Sequence, residues 1–383
     1  MKYFMIIVLA LFSNFSNPSQ EDNGYEKLWK EVESFESTQQ PKSAYAVVEK
    51  IYAKAIKEKR DDQLIKAIIY KTRFSEAFED KDQADKILSM EAEMEKINSL
   101  NAQAVFKSIL GQLYHDYGMQ NAYRFRNRTQ LQTGDQDSGS LAFNSLEAIQ
   151  KKSAELYLES INFGENIALS EIEILLDETR RAETSVTAID IQQFLLFRAI
   201  QHFSSRQSFV SLPTSKVTIV NKAFYNEDYR SRANINELST ADYQSVALVL
   251  YQLAKDSKTL MTKQRVWLET MRLNFVKGAD QTATREVNYA EAIKKLALKY
   301  WEKEGYEYPQ MQLIKYYLER QHYQRNNQDD KNYFAIASEE LVRLESSKID
   351  DFFKPYVESL RILLEKRENA IQLNKCTCLV IVC

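Results

Sequence analysis

The chain holds only three histidines, His115, His202 and His322, and proton transfer near neutral pH falls first to that side chain. Each lies in a different predicted helix, with no His-Glu-x-x-His or other spacing that sets two imidazoles on one face. Asp116 follows His115, but helical neighbours point about 100° apart and make no acid–base pair. Three cysteines, Cys376, Cys378 and Cys383, crowd the C-terminal end. Their Cys-x-Cys spacing does not fit a zinc knuckle, and a fold stapled by disulfides would spread them along the chain. No Gly-rich phosphate loop, Gly-x-Ser-x-Gly elbow or calcium loop occurs. Carboxylates are abundant, yet none forms a pair distinct from the solvated faces of helices. The residues thus assign no catalytic group, no metal and no cofactor, and the chain reads as a non-enzyme.

One run departs from this monotony: Tyr123-Arg124-Phe125-Arg126-Asn127-Arg128-Thr129. Arginine interleaved with aromatics stacks on single-stranded nucleic acid, anchors protein interfaces, or closes a structural corner. In a corner, the aromatics pack inward and the arginines pair with carboxylates or helix C-terminal carbonyls. A net charge of −3 gives no basic field for nucleic acid. Tyr123, Arg124, Phe125, Arg126 and Arg128 are therefore the candidate partner-binding residues, and the partner expected is a protein.

The elements that must carry these residues are helices. Eight glycines and five prolines in 383 residues are far below the roughly 45 that average usage would give. Glycine supplies positive φ in tight turns and proline fixes φ, so their scarcity means long helices and few connections. Pro41 starts one helix with the stripe Ala44, Val48, Ile51 and Ala55. Asp61-Asp62 is read as the cap of a second, carrying Ile65, Ile68, Ile69 and Thr72. A third starts at Asp82, and a fourth carries Phe106, Ile109, Leu110, Leu113, Tyr114 and Tyr117. These four pair as two helical hairpins offset by about 40 residues, the spacing of helical repeats. Leu110-Gly111 with Tyr114 fits part of the tetratricopeptide pattern, whereas the Trp and later Ala and Phe positions fail. Asn144 with Glu147 and Ser170 with Glu173 read as capping boxes. Residues 191–203 are apolar around most of the circumference, as in a central buried helix. Lys216–Val220 is the one short strand expected. Stripes resume at Ile293, Leu296, Ala297, Tyr300 and Trp301, and at Phe353, Tyr356, Val357, Leu360 and Leu364. The predicted fold is all-α: an irregular α-solenoid of helical hairpins with tetratricopeptide-like packing and no strict repeat.

Lys2 followed by the apolar run Tyr3–Phe12 has the length of a signal-peptide core and is too short to span a bilayer. Cleavage is expected near Ser16 or Ser19, and no nearby cysteine offers a lipid anchor. The organisation expected is a signal peptide over 1–19, helical hairpins over 20–125 and a polar loop over 126–144. A continued helical array follows over 145–375, then an atypical Cys-bearing tail over 376–383 that looks like a truncation. No linker rich in Pro, Gly or Ser separates independent domains. The mature chain is expected to be secreted or periplasmic, without an integral membrane segment.

Several segments in order resemble a known family. Tyr25-Glu-Lys-Leu-Trp29, Pro41-Lys-Ser-Ala with Val47-Val-Glu-Lys-Ile-Tyr52, and Gln63-Leu-Ile-Lys-Ala-Ile-Ile-Tyr70 are similar to the N-terminal helical region of large secreted alpha-2-macroglobulin-like proteins of Bacteroidetes-type bacteria. So are Asn121-x-Tyr-Arg-Phe125-x-Asn-Arg-Thr129, Phe194-Leu-x-x-Arg-Ala-x-x-x-Phe203, Leu250-Tyr-Gln252 and Arg272-Leu-Asn-Phe-Val276. The resemblance spans about 25–345. It implies a region that precedes β-sandwich macroglobulin domains in proteins regarded as broad protease traps. The sequence lacks a bait region and the Cys-Gly-Glu-Gln thioester motif, so inhibition by this chain alone is not expected. Its partner on this reading is a protein, including the absent macroglobulin domains. Two other classes remain open: a free-standing secreted α-solenoid that binds a peptide or glycan, and an all-helical glycosidase-like enzyme. The second usually gathers carboxylates with Trp or His on loops, and this chain has three of each.

Overall fold

The computed structural model describes residues 24–78, 82–125, 145–169, 188–205, 222–229, 242–323 and 332–366. The expected signal segment, the polar break at 126–144, the capping box at Ser170, the strand at 216–220 and the cysteine tail lie outside them. Among the described residues the protein is all-helical, apart from one isolated bridge between Ala168 and Asp190. The chain divides into two compact units, Met1–Val217 with Ser231–Ala254, and Thr218–Arg230 with Lys255–Cys383. Each unit thus takes two separate stretches of sequence.

The first unit opens with α1 (Tyr25–Ser37), α2 (Pro41–Glu58) and α3 (Asp61–Ser75), each packed against the next. Connections this short force antiparallel neighbours. Pro41 sits at the start of α2, where its missing N–H costs nothing. Lys59 closes α2 in the left-handed region at φ 54° and turns the chain into α3. Three side-chain bonds from aromatic hydroxyl or indole groups stitch the layer. Trp29 Nε1 donates to Gln63 Oε1 at 2.8 Å, Tyr25 OH to Glu58 at 2.8 Å and Tyr52 OH to Glu93 at 2.6 Å. Tyr and Trp satisfy both demands of such a position, an apolar ring inside and a polar tip at the edge.

α4 (Gln83–Ala92) begins as expected at Asp82, whose carboxylate accepts from the Asp85 N–H at 2.8 Å. Asp61 does not cap its own helix. Its carboxylate instead accepts from the backbone N–H of Asn98 and Ser99, at 3.1 and 2.7 Å, just before α5 (Leu100–Gln120). The N-cap of α7 (Leu146–Ser160) is Ser145, accepting from the Ala148 N–H at 3.1 Å, one place beyond the Asn144 read from sequence.

The pairing of the fourth helix also differs from expectation. α5 packs chiefly on α7, and only lightly on α4. Two glycines explain why. A Cβ at Gly111 would stand 3.0 Å from the Tyr157 ring, and one at Gly118 would stand 2.9 Å from Gln150 Nε2. The two helices approach so closely that Ser153 Oγ donates to the Gly111 carbonyl at 2.7 Å. α8 (Ile191–Ser204) then fills the interior, with Ile191, Leu195, Ala199 and Phe203 fully enclosed. Arg198 reaches back to α5 and donates to Ser108 Oγ at 2.7 Å. The short α6 (Ala122–Phe125) follows α5, and α9 (Tyr243–Lys255) completes the unit.

The second unit contains α10 (Thr262–Ala279), α11 (Arg285–Lys299), α12 (Glu307–Tyr323), α13 (Tyr333–Glu345) and a last helical stretch over 354–366. Consecutive helices from α10 to α13 pack in order. The 3₁₀ turn Lys222–Tyr225 docks here by a buried clamp. Arg272 pairs with Glu269, both 3% exposed, and donates to the carbonyls of Phe224 and Asn226 at 2.6 and 3.0 Å. Tyr225 OH donates to Asp280 at 2.8 Å. In the terminal stripe, Phe353, Val357, Leu360 and Leu364 are buried as expected, whereas Tyr356 is 46% exposed and falls outside the core.

Candidate functional site

α5 is apolar on nearly every side, and its end is closed by Asn121, whose Nδ2 donates to the Tyr117 carbonyl at 2.9 Å. The chain then leaves the core and presents Tyr123 on α6. Tyr123 is 91% exposed, against 63% for the next large apolar side chains, Leu100 and Val342. The inward packing expected of the corner's aromatics therefore fails at Tyr123. The side chains of Arg124 and Phe125, and residues Arg126 and Arg128 altogether, lie outside the described residues. Of the five expected interface residues, the structure places one, on the surface.

A concavity of about 170 Å³ opens where α2, α3 and α4 meet. It is lined by Tyr45 and Tyr52 from α2, by Ile68 and Lys71 from α3, and by Lys86 and Met90 from α4. Lys71 Nζ lies 4.2 Å from the centre of the Tyr52 ring and 5.9 Å from that of Tyr45. Such contacts attract the ammonium through the ring quadrupole. Glu93 closes the far end, accepting from Tyr52 OH and from Lys96 at 2.9 Å. Burial chiefly, and the bond to Glu93 next, raises the Tyr52 phenol above its ordinary value. This cleft escaped the sequence reading because its charged residues come from α3, α4 and the 3₁₀ turn Glu93–Lys96, with no shared motif.

Two of the three histidines meet inside the first unit. His115 and His202, from α5 and α8, are 7% and 6% exposed, with rings 5.0 Å apart and edge-on. His202 stacks on Tyr157 at 4.4 Å, and His115 Nδ1 lies 3.1 Å from Gln150 Oε1, where a proton on Nδ1 is accepted. Tyr243 from α9 stands 5.9 Å from His202 and donates to the Gln150 carbonyl at 3.1 Å. Burial, with the neighbouring His115 adding to it, holds the His202 imidazole well below its usual range. The two imidazoles lie buried where α5, α7, α8 and α9 meet, in contact with Tyr157, Gln150 and Tyr243. The available signal was burial rather than spacing: His115 follows Tyr114 and His202 precedes Phe203 on helices apolar nearly all round. The side chain of His322 lies outside the described residues.

Among the described residues no three metal-ligating side chains gather, and no helix is long and apolar enough to cross a membrane. Compared with protein-family models, curated proteins and solved structures, the chain matches none.

Proposed function

We propose that this protein is a non-enzymatic, exported helical module that binds a protein partner through the surface around Tyr123. On this reading it corresponds to the N-terminal helical region of an alpha-2-macroglobulin-like protein, and its partner is the macroglobulin-domain portion. The observation that carries the proposal is the exposure of Tyr123 beside an arginine-rich sequence. Aromatic and arginine side chains supply most of the energy at protein interfaces, about 2 kcal/mol or more for the strongest. A fully exposed tyrosine also pays the ordinary cost of apolar hydration until something covers it.

Replacing Tyr123 by a photoreactive phenylalanine analogue tests the reading in the exporting cell. Crosslinks to one defined protein are expected at this position and not at Leu100, which serves as the exposed control. Equal labelling at both positions would reject the surface. A second arm mixes the purified chain with an active endopeptidase. Trapping needs a bait segment and a cage, and the sequence holds no bait segment, so full protease activity is expected. Stoichiometric inhibition would overturn the reading.

A further inference from the structure

We propose that the cleft between α2, α3 and α4 binds a carboxylate, held between the ammonium groups of Lys71 and Lys86. The inference goes beyond the Tyr123 surface and shares no residue with it, so either can fail alone.

The first ground is the state of the two cations. The Lys86 side chain is only 12% exposed, the most enclosed lysine of any ion pair among the described residues, and that of Lys71 is 25% exposed. Removing an ammonium from water costs several kcal/mol unless close partners replace the lost hydration. Yet Lys86 stands 3.6 Å from Glu76 and Lys71 stands 3.6 Å from Glu49, beyond hydrogen-bond length. In the same unit Lys107 and Lys152 close their pairs, with Glu159 at 2.8 Å and Glu91 at 2.7 Å, whereas Lys151 stands 3.9 Å from Glu155 with its side chain 69% exposed to water. Lys71 and Lys86 line one concavity, where Lys71 Nζ also lies 4.2 Å from the Tyr52 ring centre.

The second ground is that the cleft's own carboxylate is already matched. Glu93 accepts hydrogen bonds from Tyr52 and Lys96, which leaves Lys71 and Lys86 as the cationic donors among the lining residues. The hydroxyls of Thr72 and Ser75 give their protons to the carbonyls of Ile68 and Thr72, each at 3.0 Å, and offer only lone pairs inward. The third ground is size. About 170 Å³ admits an acidic side chain or a small organic acid, and is below the roughly 300 Å³ at which pockets for larger ligands begin. The Tyr45 and Tyr52 rings flank its short aliphatic stem.

The test uses N-acetyl-glutamate amide as probe and N-acetyl-glutamine amide as its neutral twin, followed by backbone amide shifts of the full chain. Saturable shifts at Thr72, Ser75 and Ser89 are expected with the glutamate probe and not with the twin. Lys71→Gln and Lys86→Gln should each weaken binding about tenfold, the effect of one charge-assisted bond. The comparison of probe with twin needs no variant, so it stands even if a substitution unfolds the chain. No saturable shift with the glutamate probe, equal shifts with both, or undiminished affinity in the folded variants would each overturn the proposal. Tighter binding of inorganic phosphate would overturn the choice of a carboxylate.

Discussion

Burying an imidazole ties stability to pH in a definite direction. His202 is held well below its usual range in the folded chain, chiefly by burial, and returns to about 6.5 on unfolding. The unfolded chain therefore takes up a proton that the folded one refuses. The resulting stability is complete above about pH 6.5 and is lost as pH falls toward the folded value. Denaturant midpoints at pH 7.5 and 5.0 should fall further for the wild-type chain than for His202→Leu. Equal slopes would mean the ring is hydrated. Lys66 works on the alkaline side. Lying 4.2 Å from the centre of the Trp29 ring, it is pulled down to about 8 by burial, with Glu33 partly opposing. Between about pH 8 and the ordinary lysine value near 10.4, the unfolded chain binds the extra proton. The wild-type chain should accordingly gain stability over Lys66→Met as pH rises through that window. A constant difference between the two would remove the burial argument. Neither shift was legible in the sequence, since both arise where separate helices cross and no local spacing encodes that meeting. The cleft lysines were hidden for the same reason.

At the scale of elements, the starts of helices were legible because they are local chemistry. Pro41 and Asp82 each act within one turn of their own position. Pairing was not legible, because it depends on which surfaces can come close. The glycines at 111 and 118 decide that α5 seats on α7, and a lone Leu-Gly in sequence did not reveal it. Gly111→Ala tests the point. Alanine in a helix interior normally gains up to about 1 kcal/mol over glycine. Here its Cβ would lie 3.0 Å from a ring and 3.3 Å from the Ser153 carbonyl, so a net loss of about 1–3 kcal/mol is expected from overpacking. Chemical denaturation measures it, and a gain in stability would show that α7 can withdraw. In the second unit, Arg272→Met should cost about 2–3 kcal/mol, because it leaves buried Glu269 with the looser Lys255 contact at 3.5 Å. Faster hydrogen exchange at Lys222–Tyr229 should accompany the loss. Adding Glu269→Gln should recover part of it, and additive losses instead would mean that the two side chains do not act as a pair.

For the whole molecule, the scarcity of glycine and proline announced an all-helical chain, and the described residues form one. The division into two units was hidden, because no stretch of flexible composition marks it and each unit interrupts the other in sequence. A fragment starting at Lys255 lacks the Phe224 and Asn226 carbonyls that receive Arg272. It should unfold at lower denaturant than one starting at Thr218. Equal midpoints would make the clamp irrelevant to the unit.

The same clamp sets a timetable during synthesis. The ribosome delivers Phe224 and Asn226 first, and Arg272 arrives 48 and 46 positions later. At translation speeds of about 5–20 residues per second, the early segment waits roughly 2–10 s for its receptor. Meanwhile α9 emerges and completes the neighbouring unit. The order of manufacture thus interleaves the two units, with the first piece of the second made before the last piece of the first. A nascent chain halted between Lys255 and Arg272 would hold one finished unit and a short tether with nowhere to dock. That interval is when a chaperone would have its clearest opportunity to hold the segment.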